Sequence, residues 1–101
     1  MIAVIFEVTP RMQSQKRYLE LASELAPLLS GIPGFISVER FFSLNTPEKL
    51  LSLSWWENLE AVEVWKQNVH HLAAQQEGKH NLFSCYRISV TSVIREERIS
   101  Q

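Results

Sequence analysis

The sequence has no aspartate, because all eleven acidic residues are glutamates. This absence excludes sites built on aspartate, such as calcium-binding loops and Asp-centred phosphoryl-transfer sites. The three glycines, Gly31, Gly34 and Gly78, are too scattered to form a loop that cradles phosphates. A single cysteine excludes an internal disulfide and a thiolate metal cluster, and is typical of a reducing compartment. We interpret that residue, Cys85, as a small apolar filler beside Tyr86.

An excess of charge of either sign is lacking too. Ten basic and eleven acidic residues give a net charge of -1, and the basic residues form no dense cluster. This balance argues against nucleic acid or an anionic membrane as a partner. No apolar run is long enough to span a bilayer, and the start MIAVIFEVTP lacks the features of a signal peptide. We therefore expect a soluble cytoplasmic protein.

Apolar residues, in contrast, are plentiful for a chain of this length. They make up 46% of 101 residues. A chain this short hides only about 60 to 65% of the surface that its unfolded form exposes, so we expect an additional burial surface in an oligomer. No internal repeat or linker indicates a second domain, and the sequence predicts a single domain spanning residues 1–101.

Hydrophobic periodicity predicts six elements. They are a strand over 2–8, a helix between Ser14 and Gly31, strands over 35–44 and 49–57, a helix that begins after Asn58, and a strand over 86–95. Ser14 and Asn58 are expected to cap the two helices, and Thr9-Pro10 to end the first strand. The helical pattern loosens near Gln67-Asn68, so one helix or two short helices fit this region equally well.

This order predicts an α+β protein with the ferredoxin-like βαββαβ arrangement and a four-stranded antiparallel sheet. Strict alternation places Phe35 and Phe41 on one face of the second strand, and both faces of the hairpin carry large apolar groups. Two helices cover only one face of such a sheet. We expect the other face to meet a second copy, which gives a homodimer of the dimeric α/β barrel type.

The residues suited to catalysis are few. His70, His71 and His80 do not have the spacing of a metal site, because neighbours on a helix point about 100° apart. No serine or cysteine lies in a nucleophile motif, which argues against a hydrolase. The sequence therefore predicts neither a metal site nor a hydrolytic triad.

Glu7 is the one charged residue in an apolar strand, which leaves two interpretations open. It has a raised pKa and acts as a base if its face looks into a pocket, or it pairs with an arginine such as Arg40 or Arg87. Trp65 likewise either stacks on a planar aromatic ligand or packs in the core. Glu7 and Trp65 both lie in segments that are similar to a known protein family.

The chain resembles the antibiotic biosynthesis monooxygenase family, whose members are small ferredoxin-like proteins that dimerise. The segments similar to that family, in order and with similar gaps, are MIAVIFEV, GFISVERFFSL, LLSLSWWENLEAVEVW, HLAAQQEGKHNLFSCYRISV and VIRE. The resemblance implies a pocket between the sheet and the second helical region. Some members oxygenate polycyclic phenols or quinols without metal, flavin or haem, and a related branch binds and degrades haem.

The resemblance also implies roles for individual residues. Trp65 matches a tryptophan that lines the pocket, His71 in its H-x-x-A-Q stretch matches a frequent histidine, and Glu7 falls on a polar position late in the first strand. Gln75 stands where the haem-degrading branch has its axial histidine, and glutamine is a poor iron ligand, so no cofactor is expected and haem is disfavoured.

We therefore predict a cofactor-independent monooxygenase for a small aromatic, phenolic or quinol substrate. His71 or Glu7 takes the proton, Trp65 forms the stacking wall, and three residues chosen by type hydrogen-bond a substrate oxygen: Asn68, Arg40 and Tyr86. The alternatives are a haem-binding or haem-degrading monooxygenase and a non-catalytic ligand-binding dimer of the same fold.

Overall fold

The computed structural model describes residues 1–68, 76–77 and 83–101, with the side chains at 83 and 84 outside the description. The elements are β1 (Ile2–Pro10), a 3-10 turn (Met12–Ser14), α1 (Gln15–Leu29), β2 (Phe35–Phe42), β3 (Leu50–Trp56), α2 (Leu59–Lys66) and β4 (Phe83–Ser92). Their order is the predicted βαββαβ. In the described part of the chain, neither α-helix is long and apolar enough to cross a membrane.

The four strands form one antiparallel sheet in the order β2-β3-β1-β4. The first strand is central, and Ile2 lies opposite Trp56 of β3 on one side and Ser92 of β4 on the other. The order follows from the βαββαβ arrangement, in which each half contributes one inner and one edge strand. The predicted ferredoxin-like α+β class is confirmed.

The predicted N-terminal cap is present in α2 but not in α1. The Asn58 side chain accepts a hydrogen bond from the Ala61 backbone N–H at 2.9 Å, so the predicted cap of α2 is confirmed. α2 ends at Lys66, close to the predicted break near Gln67-Asn68. Ser14 directly precedes α1 but makes no capping hydrogen bond, because a 3-10 turn leads into the helix there.

The strand ends also shift from their predicted places. β1 continues two residues beyond its predicted end at Val8 and ends at Pro10, which lies opposite Phe83 after a register shift, so the expectation that Thr9-Pro10 ends the strand is confirmed. β2 ends two residues before Leu44. β4 covers 83–92 rather than 86–95, and beyond it the Val93 N–H donates to the Met1 carbonyl at 3.0 Å.

The helices cover one face of the sheet, which we call the helix side. Its main core cluster contains Leu29 of α1, Trp56 of β3, and Ala61, Val62 and Trp65 of α2. Trp56 is only 2% exposed, and its indole N–H donates to Ser54 Oγ at 2.9 Å. A second cluster of Val8, Tyr18 and Leu50 lies further along the sheet. Burial of these large side chains is the main source of the stability of this face.

A bulge at Ile36 changes which face the start of β2 presents. The register shifts between Phe35 and Ser37, so that Phe35 lies on the helix side against Trp56, with ring centroids 5.2 Å apart. Phe41 lies on the other face, opposite Leu51. The prediction that Phe35 and Phe41 share a face is wrong, because one extra residue in a strand reverses the alternation.

Gly34 allows α2 to lie close to the start of β2. Its φ is +93°, and a Cβ added there would lie 2.8 Å from the Ala61 Cβ. Its carbonyl accepts the Glu57 N–H at 2.7 Å, which fixes the chain just before α2. Only glycine combines this backbone conformation with this close approach.

Candidate functional site

The face of the sheet opposite the helices, which we call the helix-free face, is both apolar and charged. Its apolar residues come from three strands: Ala3, Ile5, Phe41, Leu51, Leu53 and Trp55. All of them are half-buried or buried except Phe41, which is exposed. Its polar residues lie mainly towards the end of β1 and on the two edge strands: Glu7, Thr9, Ser37, Glu39, Arg87, Ser89 and Thr91. The face is therefore less uniformly apolar than the sequence pattern predicts.

Three charged residues on this face form what we call the ionic cluster: Glu7, Lys49 and Arg87. Arg87 lies directly opposite Glu7 in the β1–β4 register, and its Nη2 is 3.0 Å from Glu7 Oε2. Lys49, just before β3, brings its Nζ to 3.4 Å from the same oxygen. Two cations therefore share one carboxylate, and the cluster carries a net charge of +1.

The ionic cluster settles the two interpretations of Glu7. Burial raises the pKa of the Glu7 carboxyl, but hydrogen bonds from Lys49 and Arg87, together with attraction to their charges, hold it below its ordinary value of 4.5. The expectation of a raised pKa is wrong, and the alternative of an ion pair with Arg87 is confirmed. A carboxylate with a lowered pKa is a weak general base at neutral pH.

Two open clefts flank the ionic cluster. The first, of about 290 Å³, is lined by Phe41, Phe42 and Leu51 beside Glu7 and Lys49. The second, of about 270 Å³, lies on the β4 side of Glu7 and includes Cys85, Tyr86 and Arg87. Cys85 is exposed, so its interpretation as an apolar filler is wrong. Each cleft combines apolar walls with a cation of the ionic cluster.

Trp65 lies on the helix side, across the sheet from the ionic cluster. It is 8% exposed and belongs to the main core cluster with Trp56 and Val62. Its interpretation as a core residue is confirmed, and its role as a stacking wall stays a prediction. Because the sheet separates Trp65 from Glu7, the two residues do not serve one pocket.

The predicted substrate-binding residues Arg40 and Tyr86 are on the helix side but far apart. Arg40 is on β2 and Tyr86 on β4, the two edges of the sheet, which three strand spacings of roughly 4.8 Å separate. Tyr86 packs edge-on against Phe6, with ring centroids 6.2 Å apart. Arg40 hydrogen-bonds Tyr18, whose burial raises the pKa of its phenol while Arg40 partly offsets the rise. The described structure does not bring Arg40 and Tyr86 into one site.

The other predicted residues are near or beyond the end of α2. The Asn68 N–H donates to the Trp65 carbonyl at 3.1 Å, which places Asn68 one turn after that tryptophan. His71, with His70, Gln75 and His80, lies outside the described residues. Within residues 1–68, 76–77 and 83–101, no three His, Cys or Glu side chains cluster to hold a metal.

One strip of apolar surface on the helix side remains half open. Tyr86, Ile88 and Val90 of β4 lie opposite Val8, Phe6 and Val4, so they point towards the helices. They are nevertheless 41 to 45% exposed, whereas Val8 is 1% exposed. We call these three residues the β4 strip. Its aromatic and branched side chains are suited to contact with a flat apolar molecule.

Sequence reasoning missed Lys49 and the pairing of Tyr18 with Arg40. The hairpin register contains the signal for Lys49, since Leu50 lies opposite Val8 and its neighbour therefore falls beside the end of β1 on the face of Glu7. Tyr18 is visible in the sequence as a core position of α1. Its pairing with Arg40 depends on how α1 crosses β2, which periodicity does not define.

Comparison with protein families identifies the family of the chain. The antibiotic biosynthesis monooxygenase family model matches residues 1–77. The chain belongs to this family. The matched part includes β1, both helices and the β2–β3 hairpin, and therefore both Glu7 and Trp65.

Two relatives are similar to the chain in sequence. The jasmonate monooxygenase ABM of Pyricularia oryzae is 35% identical over 101 residues, which are all of this chain and 47% of that protein. The uncharacterized protein YqjZ of Bacillus subtilis is 27% identical over 94 residues, which are 93% of this chain and 80% of that protein. The chain thus spans about half the length of the first relative.

Solved structures agree on the fold. A Deinococcus radiodurans protein described as a candidate antibiotic biosynthesis monooxygenase has a TM-score of 0.87 at 17% identity, with each chain covered in full. Rv0793 from Mycobacterium tuberculosis has a TM-score of 0.85 at 16% identity, covering 96% of this chain and 98% of that one. At these identities the likeness establishes the fold.

Proposed function

We propose that the chain is a monooxygenase that uses O₂ to oxidise a small aromatic, phenolic or quinol substrate without a cofactor. The observation that carries the proposal is the family match over residues 1–77. The half-open β4 strip supports an apolar, planar substrate on the helix side. The single exposed cysteine supports the cytoplasm as the site of action, where it stays reduced.

The proposed reaction takes place between the substrate and O₂, and the protein supplies no redox group. A substrate with an acidic C–H beside a phenol loses a proton, and the anion transfers one electron to O₂. The carbon radical and superoxide recombine through a new C–O bond, and a proton on the outer oxygen gives a hydroperoxide. Loss of water then leaves a carbonyl, so that R₂CH₂ and O₂ give R₂C=O and H₂O. The protein binds the substrate, excludes water and stabilises the anion.

The positions of the described residues favour His71 over Glu7 as the base. Glu7 has a lowered pKa and lies on the face away from Trp65 and the β4 strip. The proposal therefore assigns proton abstraction to His71, with Trp65 and Tyr86 as apolar contacts and Asn68 as a hydrogen-bonding group near the end of α2.

We also propose that the protein acts as a homodimer through the helix-free face. The half-buried side chains of Ile5, Leu53 and Trp55 support this assembly, since no element of the described chain packs over them. An isologous contact between two such sheets buries both at once.

Oxygen uptake tests the proposed reaction. The chain is mixed with a panel of hydroquinones and hydroxyanthrones, and O₂ consumption is compared with autoxidation of each compound alone. We expect uptake above autoxidation with at least one compound. A loss of about 10²-fold or more is expected for His71→Ala, consistent with removal of a general base.

Glu7→Gln is the matched control for His71→Ala, because it removes the other candidate base. Its oxygen uptake is expected to stay within a few-fold of the unmodified chain. Trp65→Phe, which retains an aromatic ring, is expected to raise KM more than it lowers kcat. Loss of activity in Glu7→Gln with full activity in His71→Ala would reverse the assignment of the base.

A panel in which no compound consumes O₂ above autoxidation points to the non-catalytic alternative. Addition of hemin tests the haem alternative separately. A Soret shift that disappears in His71→Ala would support haem binding, whereas no shift at micromolar protein excludes it.

A further inference from the structure

We propose that Arg87 of one subunit binds Glu39 of the partner subunit, so that each subunit supplies the charge that the ionic cluster of the other lacks. This inference rests on the homodimer proposed above and defines how its two sheets meet. The ionic cluster carries a net charge of +1, because Lys49 and Arg87 share the single carboxylate of Glu7. One further carboxylate balances it.

Glu39 is the matching unbalanced charge on the helix-free face. It lies on β2, opposite Leu53. In the part of the chain that the structure describes, no basic side chain lies within 4.0 Å of its carboxylate. β2 is one edge of the sheet, and β4, which carries Arg87, is the other edge. The ionic cluster and Glu39 together therefore carry no net charge.

A second copy that covers this face also covers its charges. The apolar residues between the two edges favour the contact, among them Ile5, Leu53 and Trp55. Association also takes Glu39 and the ionic cluster out of water, and a covered charge without a partner opposes association. The contact is therefore most favourable in the arrangement that brings the two unbalanced charges together.

Two symmetric arrangements are possible for sheets whose strands are aligned. With the two-fold axis parallel to the strands, the strand order of the partner is reversed, so that β4 of each subunit lies over β2 of the other. With the axis across the strands, β2 lies over β2 and β4 over β4, so that each edge meets its own charge. The first arrangement pairs opposite charges and the second pairs like charges, so electrostatics favours the first.

The strand register places Arg87 near the height that this ion pair requires. Arg87 is level with Glu7 of β1, Leu51 of β3 and Phe41 of β2. An axis parallel to the strands keeps this level, so that Arg87 lies over Phe41 of the partner subunit. Glu39 is two residues, about 7 Å, further along the same strand. Arginine and glutamate are both long, and a guanidinium can bind a second carboxylate while its plane packs on an aromatic ring.

Sedimentation velocity of charge variants tests the ion pair. Glu39→Arg brings like charges together and should raise the dissociation constant of the dimer about tenfold or more, since a symmetric contact contains the pair twice. In a chain that already carries Arg87→Gln, the same change should have a clearly smaller effect, because the opposing arginine is gone. Glu63→Arg, the same charge change on an exposed side chain of α2, should leave the affinity unchanged. Circular dichroism confirms that each variant is folded.

Cysteine cross-linking tests the arrangement of the sheets. Every chain carries Cys85→Ser, which removes the native thiol. A chain with Glu39→Cys is mixed with a chain with Arg87→Cys, so that the mixed dimer keeps one native ion pair while the two new thiols face each other. We expect a short bismaleimide to link the subunits in the mixture and in neither chain alone.

Three results would overturn the proposal, and they separate it from the dimer itself. Equal dissociation constants for Glu39→Arg and Glu63→Arg would remove the ion pair and leave the dimer. Cross-linking of the Glu39→Cys chain with itself would show that β2 meets β2. An unmodified chain that stays monomeric at high concentration would remove the homodimer and the ion pair together.

Discussion

The two faces of the sheet are made by the same strands, yet their side chains are stabilised in different ways. On the helix side, Trp56 and Val8 are almost completely buried by α1, α2 and their neighbours. On the helix-free face, the adjacent residues Trp55 and Glu7 remain partly exposed, and an ionic cluster interrupts the apolar surface. Of two neighbouring residues in one strand, one therefore lies in the core and the other on an open surface.

This difference indicates what each face does. A face that is buried within the chain contributes its free energy to folding, whatever the protein concentration. A half-exposed apolar face contributes fully only when something covers it, so its contribution depends on a partner or a ligand. The following predictions test that division.

The largest effect is expected from Trp56→Ala on the helix side. Loss of a fully buried tryptophan should lower the free energy of unfolding by about 3 to 5 kcal/mol, because a cavity forms between α2 and the sheet. Urea denaturation followed by circular dichroism measures this change.

Trp55→Ala is the matched variant on the opposite face of the same strand. For the dilute chain, its cost should be only about 1 to 2 kcal/mol, and it should increase with protein concentration as the helix-free face becomes covered. Equal costs for Trp55→Ala and Trp56→Ala at all concentrations would contradict the distinction between the faces.

Gly34→Ala tests how α2 is held against the helix side. The added Cβ meets Ala61 at 2.8 Å in a backbone conformation that alanine rarely adopts, so we expect a loss of about 2 kcal/mol or more in stability. Gly31→Ala is the control, because its Cβ would meet only the Leu28 carbonyl at 3.6 Å. Thermal melts of both variants should differ clearly, and similar melting temperatures would argue against the close contact.

Ile5→Lys introduces a charge at the centre of the helix-free face. If a second copy covers this face, the dissociation constant of the dimer should rise about tenfold or more, because a buried unpaired charge opposes association. Leu19→Lys on the exposed side of α1 should have no such effect. Sedimentation velocity distinguishes these outcomes, and a monomeric unmodified chain at high concentration would remove the dimer proposal.

The smallest effect concerns pH. The folded pKa of Glu7 lies below its ordinary value of 4.5, so its stabilising contribution is complete above that pH and is lost as the pH falls through the folded pKa. Unfolding curves from about pH 6 to about pH 3 should show a shallower loss of stability for Glu7→Gln than for the unmodified chain. An identical pH dependence in both would mean that the ionic cluster contributes nothing to folding.

Much of the fold could be predicted because its signals are local. The spacing of apolar residues defines each element, and the cap at Asn58 defines where α2 begins. The bulge at Ile36 escaped prediction because no residue type marks it. A single inserted residue then sent Phe35 to the helix side and left Phe41 on the other.

The candidate site was predicted less well, because its residues depend on which face each strand presents. Alternation along β1 puts Glu7 on one face with Ala3 and Ile5, but it does not show that the helices lie on the opposite side. Arg40 and Arg87 were both named as possible partners of Glu7, and Arg87 is the one that lies on its face, whereas Lys49 required the register of the hairpin. The resemblance implied that Trp65 lines a pocket and left open whether Glu7 or His71 is the base there, and the sheet separates Glu7 from Trp65.

The central position of β1 has a consequence for how the protein is made. Ile2 pairs with Trp56 and Ser92, so β1 is synthesised before both of the strands that pair with it. Contacts of such long sequence separation form slowly, and an unpaired strand edge can template aggregation. Until Phe83–Ser92 has emerged, one edge of β1 has no native partner. The sheet of a nascent chain is therefore completed only after β4 has emerged, and until then β1 is the strand most open to incorrect pairing.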